Sequence, residues 1–497
     1  MENSNEEPKI VQTDVGAKDG QNKCPKCGAT DISLNVKTGK LRCNYCRHEF
    51  DPIKIEGMEE DISNLDGEVV GSGTQDIQQD YDNMKTFKCS SCGAEVVIDT
   101  SETTQARCHW CRNTLSVNQQ IPNGSVPDVV LPFKISKNEA RVEIDKFVGK
   151  RKFYAHPKFR EEFTTENIMG VYFPYMVVDV NSHARFLGKG EHETRRYTRG
   201  TDENRRTYYD ADLYKVGRDF DLTIKGLTVE SSSDKLDKNA SNKTNNIINA
   251  IMPFDTENSV KWDANYLKGF TSEKRDTNIE QLRPIVEAQS KDIARYSAND
   301  TLKHYDRGVC WEEEKLDVKG QQWKAAYLPV WLYSYMDTKK TLHYVAVNAR
   351  TKETIGSVPI HMPKLWAVSI LIEIIAFIGV LLARDFKYKW LFLIAGIIYY
   401  AVMYSRYRNQ GARHYHEKET EKNMTNLKQY DELIKHETGL TNSRMEGANN
   451  TRVTGQNISE KVLNSIKNGI NIDLWQYKYL KKNKELNEFM HLVSCFF

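Results

Sequence analysis

The sequence predicts an α+β protein assembled from several units, and three observations predict it. Paired cysteines recur at one spacing near the start. Strand-like alternation is mixed with two amphipathic helical stretches in the middle. A nearly uncharged run of membrane length follows. At 497 residues the chain has room for about three folded units.

The cysteines come first in the chain. Cys24-Pro25-Lys26-Cys27 is followed after fifteen residues by Cys43-Asn44-Tyr45-Cys46, and Cys89-Ser90-Ser91-Cys92 after the same interval by Cys108-His109-Trp110-Cys111. Eight of the ten cysteines are thereby used. Each C-x2-C pair supplies two adjacent corners of a tetrahedron, so Cys24, Cys27, Cys43 and Cys46 form one Zn2+ site and Cys89, Cys92, Cys108 and Cys111 a second. With four protein thiolates no position is open to water or substrate, so both ions are expected to be structural. A disulfide framework suits a short secreted chain, whereas the first twenty residues here are polar and lack a signal-peptide core. Paired thiolates therefore indicate a reducing compartment. Cys27-Gly28 and Cys92-Gly93 place glycine where the knuckle turns sharply. Each ribbon reads as a small β unit that needs its metal to fold.

These motifs divide the front of the chain. Residues 1–22 read as a disordered tail, 23–50 as ribbon one, 51–86 as an acidic linker and 87–117 as ribbon two. Ribbon one carries six Lys/Arg against two acids, and residues 51–85 carry ten acids against two lysines. Such a segment is expected to repel itself and stay disordered. A net charge of +2 gives no global preference for nucleic acid. Locally, Lys23, Lys26, Lys37, Lys40, Arg42 and Arg47 make ribbon one a nucleic-acid candidate, with Arg195–Arg206 a second basic strip that holds Tyr197 and is followed by Tyr208-Tyr209.

Residues 131–362 read as an antiparallel α+β soluble domain with an internal repeat. Leu131-Pro132-Phe133 is echoed by Met252-Pro253-Phe254, and Val171–Met176 by Ala326–Trp331. Lys137–Val148 and Asn278–Ser297 have helical periodicity; Val177–Gly188, Leu332–Val347 and Thr354–Val358 alternate as strands, with a turn at Lys352-Glu353. The prolines of Tyr172-Phe173-Pro174 and Tyr327-Leu328-Pro329 are expected at strand starts or edges.

Residues 365–404 read as a two-helix transmembrane hairpin. Leu365–Ala383 has one charge, Glu373, and Trp390–Tyr404 is shorter, extended by Lys387 and Lys389. Basic residues flank the hairpin, which puts both termini in the cytoplasm under the positive-inside rule. Glu373 falls near the bilayer midplane, where an acid is expected to bond the other helix or a second subunit, giving the hairpin a role in homo-oligomers. Residues 405–497 read as a cytoplasmic helical tail, its last part, from Ile458, amphipathic.

No phosphate loop, dinucleotide fingerprint, zinc-protease helix or hydrolase elbow is present in the sequence. The expectation is a non-enzymatic protein of the cell membrane. Its ribbons would dock an unknown protein partner, with nucleic acid as the less favoured alternative.

The ribbon pattern resembles that of transcription initiation factor B. The order of ribbon, Leu131–Ala140, Gly170–Tyr175, Tyr327–Trp331 and Val347–Thr351 ahead of an apolar hairpin resembles a family of uncharacterised bacterial zinc-ribbon membrane proteins. Its members are sometimes labelled primosomal helicases on the ribbon alone. The resemblance covers roughly residues 87–420 and implies a membrane-tethered, ribbon-bearing architecture. It implies no substrate. A ribbon ahead of residue 87 departs from the family pattern.

Overall fold

The computed structural model describes residues 8–13, 23–75, 84–100, 106–115, 120–121, 126–149, 151–161, 163–201, 204–232, 251–336, 342–356, 358–382, 394–408, 420–434 and 443–445. Its body is a mixed sheet built on five strands: β1 (Ile168–Arg199), β2 (Arg206–Glu230), β3 (Val309–Met336), β4 (Leu342–Asn348) and β5 (Glu421–Leu433). They lie in the order β5-β2-β1-β3-β4, every neighbour antiparallel.

The expected strand Val177–Gly188 is the middle of the much longer β1. The expected Leu332–Val347 is divided between β3 and β4, and residues 337–341 lie outside the described residues. β3 begins far earlier than the apolar alternation suggested. Its first part, including Glu312, Glu313 and Lys315, is largely solvated, so it carries no buried period to read. Ladder bonds to β1 hold it instead.

Two amphipathic helices form as expected. α1 (Lys137–Gly149) buries Ala140, Ile144 and Val148. Its first turn is closed by Ser136 and Glu139, each side chain bonded to the other's backbone amide. α2 (Ile279–Asn299) starts at an Asn278–Gln281 capping box and buries Leu282, Val286, Ile293 and Ala294 against the apolar side chains of β1 and β2.

The two proline motifs pair with each other. Phe173 faces Leu328, Tyr172 faces Pro329 and Pro174 faces Tyr327, a register symmetric about the Phe173–Leu328 pair. Val129–Val130 runs parallel to Ala326–Tyr327, and Thr271–Ser272 runs parallel to Val171–Tyr172. Thr271–Ser272, rather than Met252–Phe254, thus occupies the place that mirrors Val129–Val130. Met252–Phe254 is held elsewhere: buried Asn348 donates to the carbonyls of Ile251 and Pro253, both at 2.8 Å. Pro174 and Pro329 lie inside long strands rather than at their starts. Their carbonyls accept from Ser231 and Ala349.

Several expectations for the connecting segments change. Residues 8–13 of the expected tail and 51–75 of the expected linker pack on the body. Lys9–Val11 runs parallel to Gly67–Gly71, which runs parallel to Gly320–Trp323 of β3. Net charge misled here. Ile62, Leu65, Val69 and Val70 are spaced to turn inward, while most of the acids stay in solvent. Buried Asp128 locks this strap. It accepts from the hydroxyls of Thr13 and Thr74 and from the amides of Gly73 (2.7 Å) and Ala325 (2.8 Å). A Cβ at Gly71 or Gly73 would collide with the Asp128 carboxyl. Burial pushes that carboxyl above its usual range, and the four donors pull it back. The expected helical tail is likewise revised, because Glu421–Leu433 and Ser443–Met445 are strands on β2. Residues 233–250, the tail beyond 445 and the loop at 383–393 lie outside the described residues.

Among the described residues one helix, Met362–Leu381, is long and apolar enough to cross a membrane. The helix α3 (Met362–Leu382) packs against α4 (Ala395–Arg408), whose apolar part, Ala395–Tyr404, is shorter.

Candidate metal centres

Each ribbon folds around backbone bonds that the knuckle sequence dictates. Gly28 and Gly93 have positive φ and donate their amides to Cys24 and Cys89. The second knuckles close the same way through Arg47 and Arg112, which adopt left-handed conformations despite their side chains. In ribbon one, Ile32–Asn35 pairs with Lys40–Cys43 across a turn at Gly39.

The four sulfurs in each group lie within 4.8 Å of one another. Cys24–Cys46 and Cys27–Cys43 are 3.6 Å apart in ribbon one; Cys89–Cys111 and Cys92–Cys108 are 3.4 and 3.6 Å apart in ribbon two. A tetrahedral ion with metal–sulfur bonds of about 2.3 Å requires separations of about 3.8 Å. The donors therefore fit, and each group of four cysteines can hold one metal ion. The sequence brought the right eight residues together.

The settings of the two groups differ. Ribbon two is built into the body. Its strand Glu95–Asp99 pairs with Met84–Lys88 on one side and Thr271–Glu273 on the other. The second knuckle plugs a cleft: Trp110 packs edge-on against Phe173 and Tyr344, and its Nε1 donates to Glu273 at 2.5 Å. His109 is fully buried beside Glu273 at 3.5 Å, and its carbonyl accepts from Ser334 at 2.6 Å. Within the sulfur cluster, the thiol of Cys108 stabilises Cys92 as thiolate and holds it down at about 5, while Cys108 itself is pushed far up.

Ribbon one rests on the body by its opposite side. Ile32 and Leu41 are buried in the same apolar cluster as Tyr266 and Leu267, and Lys268 donates to the Thr30 carbonyl at 3.2 Å. Its second knuckle points to solvent. Tyr45 occupies the position of Trp110, yet it is 81% exposed where Trp110 is 9% exposed. Of the candidate nucleic-acid contacts, Lys23, Lys26, Arg42 and Arg47 are exposed. Lys40 is paired with Asp51 at 3.1 Å. The Arg195–Arg206 strip forms the far end of the β1–β2 hairpin. There Arg196 pairs with Glu193 at 2.9 Å and Tyr197 stacks on Tyr208. Sequence reasoning missed Tyr45, Trp110 and Glu273 as a set; the aromatic at the same place in both second knuckles was the available signal.

Glu373 sits midway along α3, and its Oε2 accepts from the Gly396 amide at the start of α4 at 2.7 Å. Gly396 is required there, since a Cβ would meet the Ser369 carbonyl and Glu373. Trp366, Ile370, Leu371, Ile374, Phe377 and Leu381 of α3 are all exposed. Comparison of the chain with protein-family models, curated proteins and solved structures gives no match.

Proposed function

We propose that the chain is a non-enzymatic, zinc-binding membrane protein whose first ribbon docks a protein partner. The observation that carries this is the contrast between Tyr45 and Trp110. One knuckle aromatic seats in a protein cleft within the chain; its counterpart, on the same scaffold, is left in water. A large exposed aromatic on a rigid module is the kind of residue that anchors an interface. Four thiolates at tetrahedral spacing are the donor set of structural zinc.

Membrane integration is supported by the exposed apolar surface of α3 and by the path of the chain. β4, before the helix pair, and β5, after it, belong to one sheet. A chain that leaves the sheet and enters a bilayer at Met362 must return to the same side before β5. An even number of crossings follows, in keeping with a two-pass hairpin. Reduced cysteines and flanking basic residues favour the cytoplasmic side. The part order quoted above supports kinship with bacterial ribbon-bearing membrane proteins, and the symmetric register about Phe173–Leu328 supports a duplicated domain.

In-cell crosslinking with mass spectrometry on wild type, Tyr45→Ala and Cys24→Ser tests the docking role. Partners are expected to be lost from both variants; an unchanged partner set would end the reading. A second reading, nucleic-acid binding, is favoured by exposed Arg42 and Arg47 flanking Tyr45. Neutralisation of Lys40 and the acidic strap beside the ribbon weigh against it. Binding of single-stranded DNA or RNA that falls steeply with salt would establish it, and no binding at low salt would exclude it.

A further inference from the structure

The base of α3 is fastened to the segment after α1. His156 donates its amide to the Pro359 carbonyl and His361 donates to Tyr154, both at 2.8 Å. Tyr154 turns inward against Leu365, with its hydroxyl 2.8 Å from that of Tyr399. This leaves its neighbour Phe153 outside, 58% exposed. The Lys364 ammonium lies 3.8 Å from the Phe153 ring centre and donates to the Phe153 carbonyl at 2.8 Å. Lys152 is exposed as well. Phe153 is therefore level with the first turn of the apolar helix, the turn that carries Lys364 and Trp366, where a spanning helix meets the headgroups.

An aromatic ring with two lysines at that level has an amphipathic face that water leaves unsatisfied and a lipid interface satisfies. We infer that Lys152, Phe153 and Lys364 form a membrane-interface contact, the ring entering the headgroup region and the two ammonium groups meeting anionic lipid. The inference rests on the reading that α3 enters a bilayer. It adds a second attachment that fixes how the sheet stands on the membrane.

The test is photocrosslinking of the full chain in phosphatidylcholine vesicles, with and without phosphatidylglycerol. p-Benzoylphenylalanine replaces Phe153, Trp366 or Tyr45 in separate proteins, and lipid adducts are weighed by mass spectrometry. Adducts at positions 153 and 366, but not at 45, are expected. Phosphatidylglycerol should be over-represented at position 153, by up to about fivefold per lysine, and Lys152→Gln should reduce that excess. Adducts at 366 without adducts at 153 would overturn this inference alone. Absence at both positions would overturn the membrane reading and this inference with it. Adducts at 153 with no headgroup preference would overturn the role of the lysines.

Discussion

Ribbon one and ribbon two have the same cysteine spacing and the same knuckle geometry, yet they are different objects. In ribbon two the second knuckle, Cys108-His109-Trp110-Cys111, is part of the core, and its strand is shared with the sheet. In ribbon one the hairpin back and Cys43 are buried in the body's cluster, while Asn44 and Tyr45 at the tip of the second knuckle stay in solvent. The lesson is that a metal module's role is set by which of its faces the rest of the chain covers. The four cysteines draw each module together; the contacts around it decide whether the aromatic of its second knuckle is buried or exposed.

That contrast can be broken by experiment, most forcefully by removing a ligand from each site. Cys89→Ser is expected to destabilise the whole body, because ribbon two contributes a strand and a core plug. Cys24→Ser is expected to unfold ribbon one and leave the body's cooperative transition in place. Thermal unfolding followed by circular dichroism, with metal content by mass spectrometry, checks both. Equal destabilisation would remove the distinction.

The aromatic pair gives the next largest effect. Trp110→Ala should cost about 3–5 kcal/mol, since it empties a packed site and removes one donor from the buried Glu273 carboxylate. Tyr45→Ala should change stability by no more than about 0.5 kcal/mol, as for an exposed residue. Denaturant titration of both variants measures the difference.

Asp128→Asn should cost about 1–3 kcal/mol, because its amide NH2 would face donors where a carboxyl oxygen now accepts. Hydrogen exchange should rise in residues 8–13 and 51–75 and leave ribbon two protected. Rapid exchange in both ribbons would show that the strap supports the whole body instead. Lys268→Ala, which removes the bond to Thr30, should be the mildest, about 0.5–1 kcal/mol, with faster exchange confined to ribbon one.

The grouping of the eight cysteines and the helices α1 and α2 were legible in the sequence. Cysteine spacing is a local code, and the periods of Lys137–Val148 and Asn278–Ser297 emerged as α1 and α2 with their caps. The acidic strap was not legible as structure. Composition counts charges, but only the fold shows that Ile62, Leu65 and Val69 fall on one side and that a distant Asp128 waits for Thr13 and Thr74. The solvated start of β3 and the strand Glu421–Leu433 were illegible for a similar reason. Their residues are largely exposed, so ladder bonding to a neighbour, rather than apolar periodicity, makes them strands.

The sequence by itself determined which eight sulfurs meet, because two C-x2-C knuckles at a fixed interval close a tetrahedron whatever surrounds them. It also determined that Leu365–Ala383 carries a nearly unbroken apolar surface. Only the tertiary structure decided that Trp110 is sheltered and Tyr45 is not, that the two proline motifs pair with each other, and that β5 rejoins the sheet left behind at the apolar helix. The physical reason is range. Ligation and periodicity are written within a few tens of residues, whereas burial of a given face depends on partners hundreds of residues away, such as Glu273 and Tyr344 for Trp110.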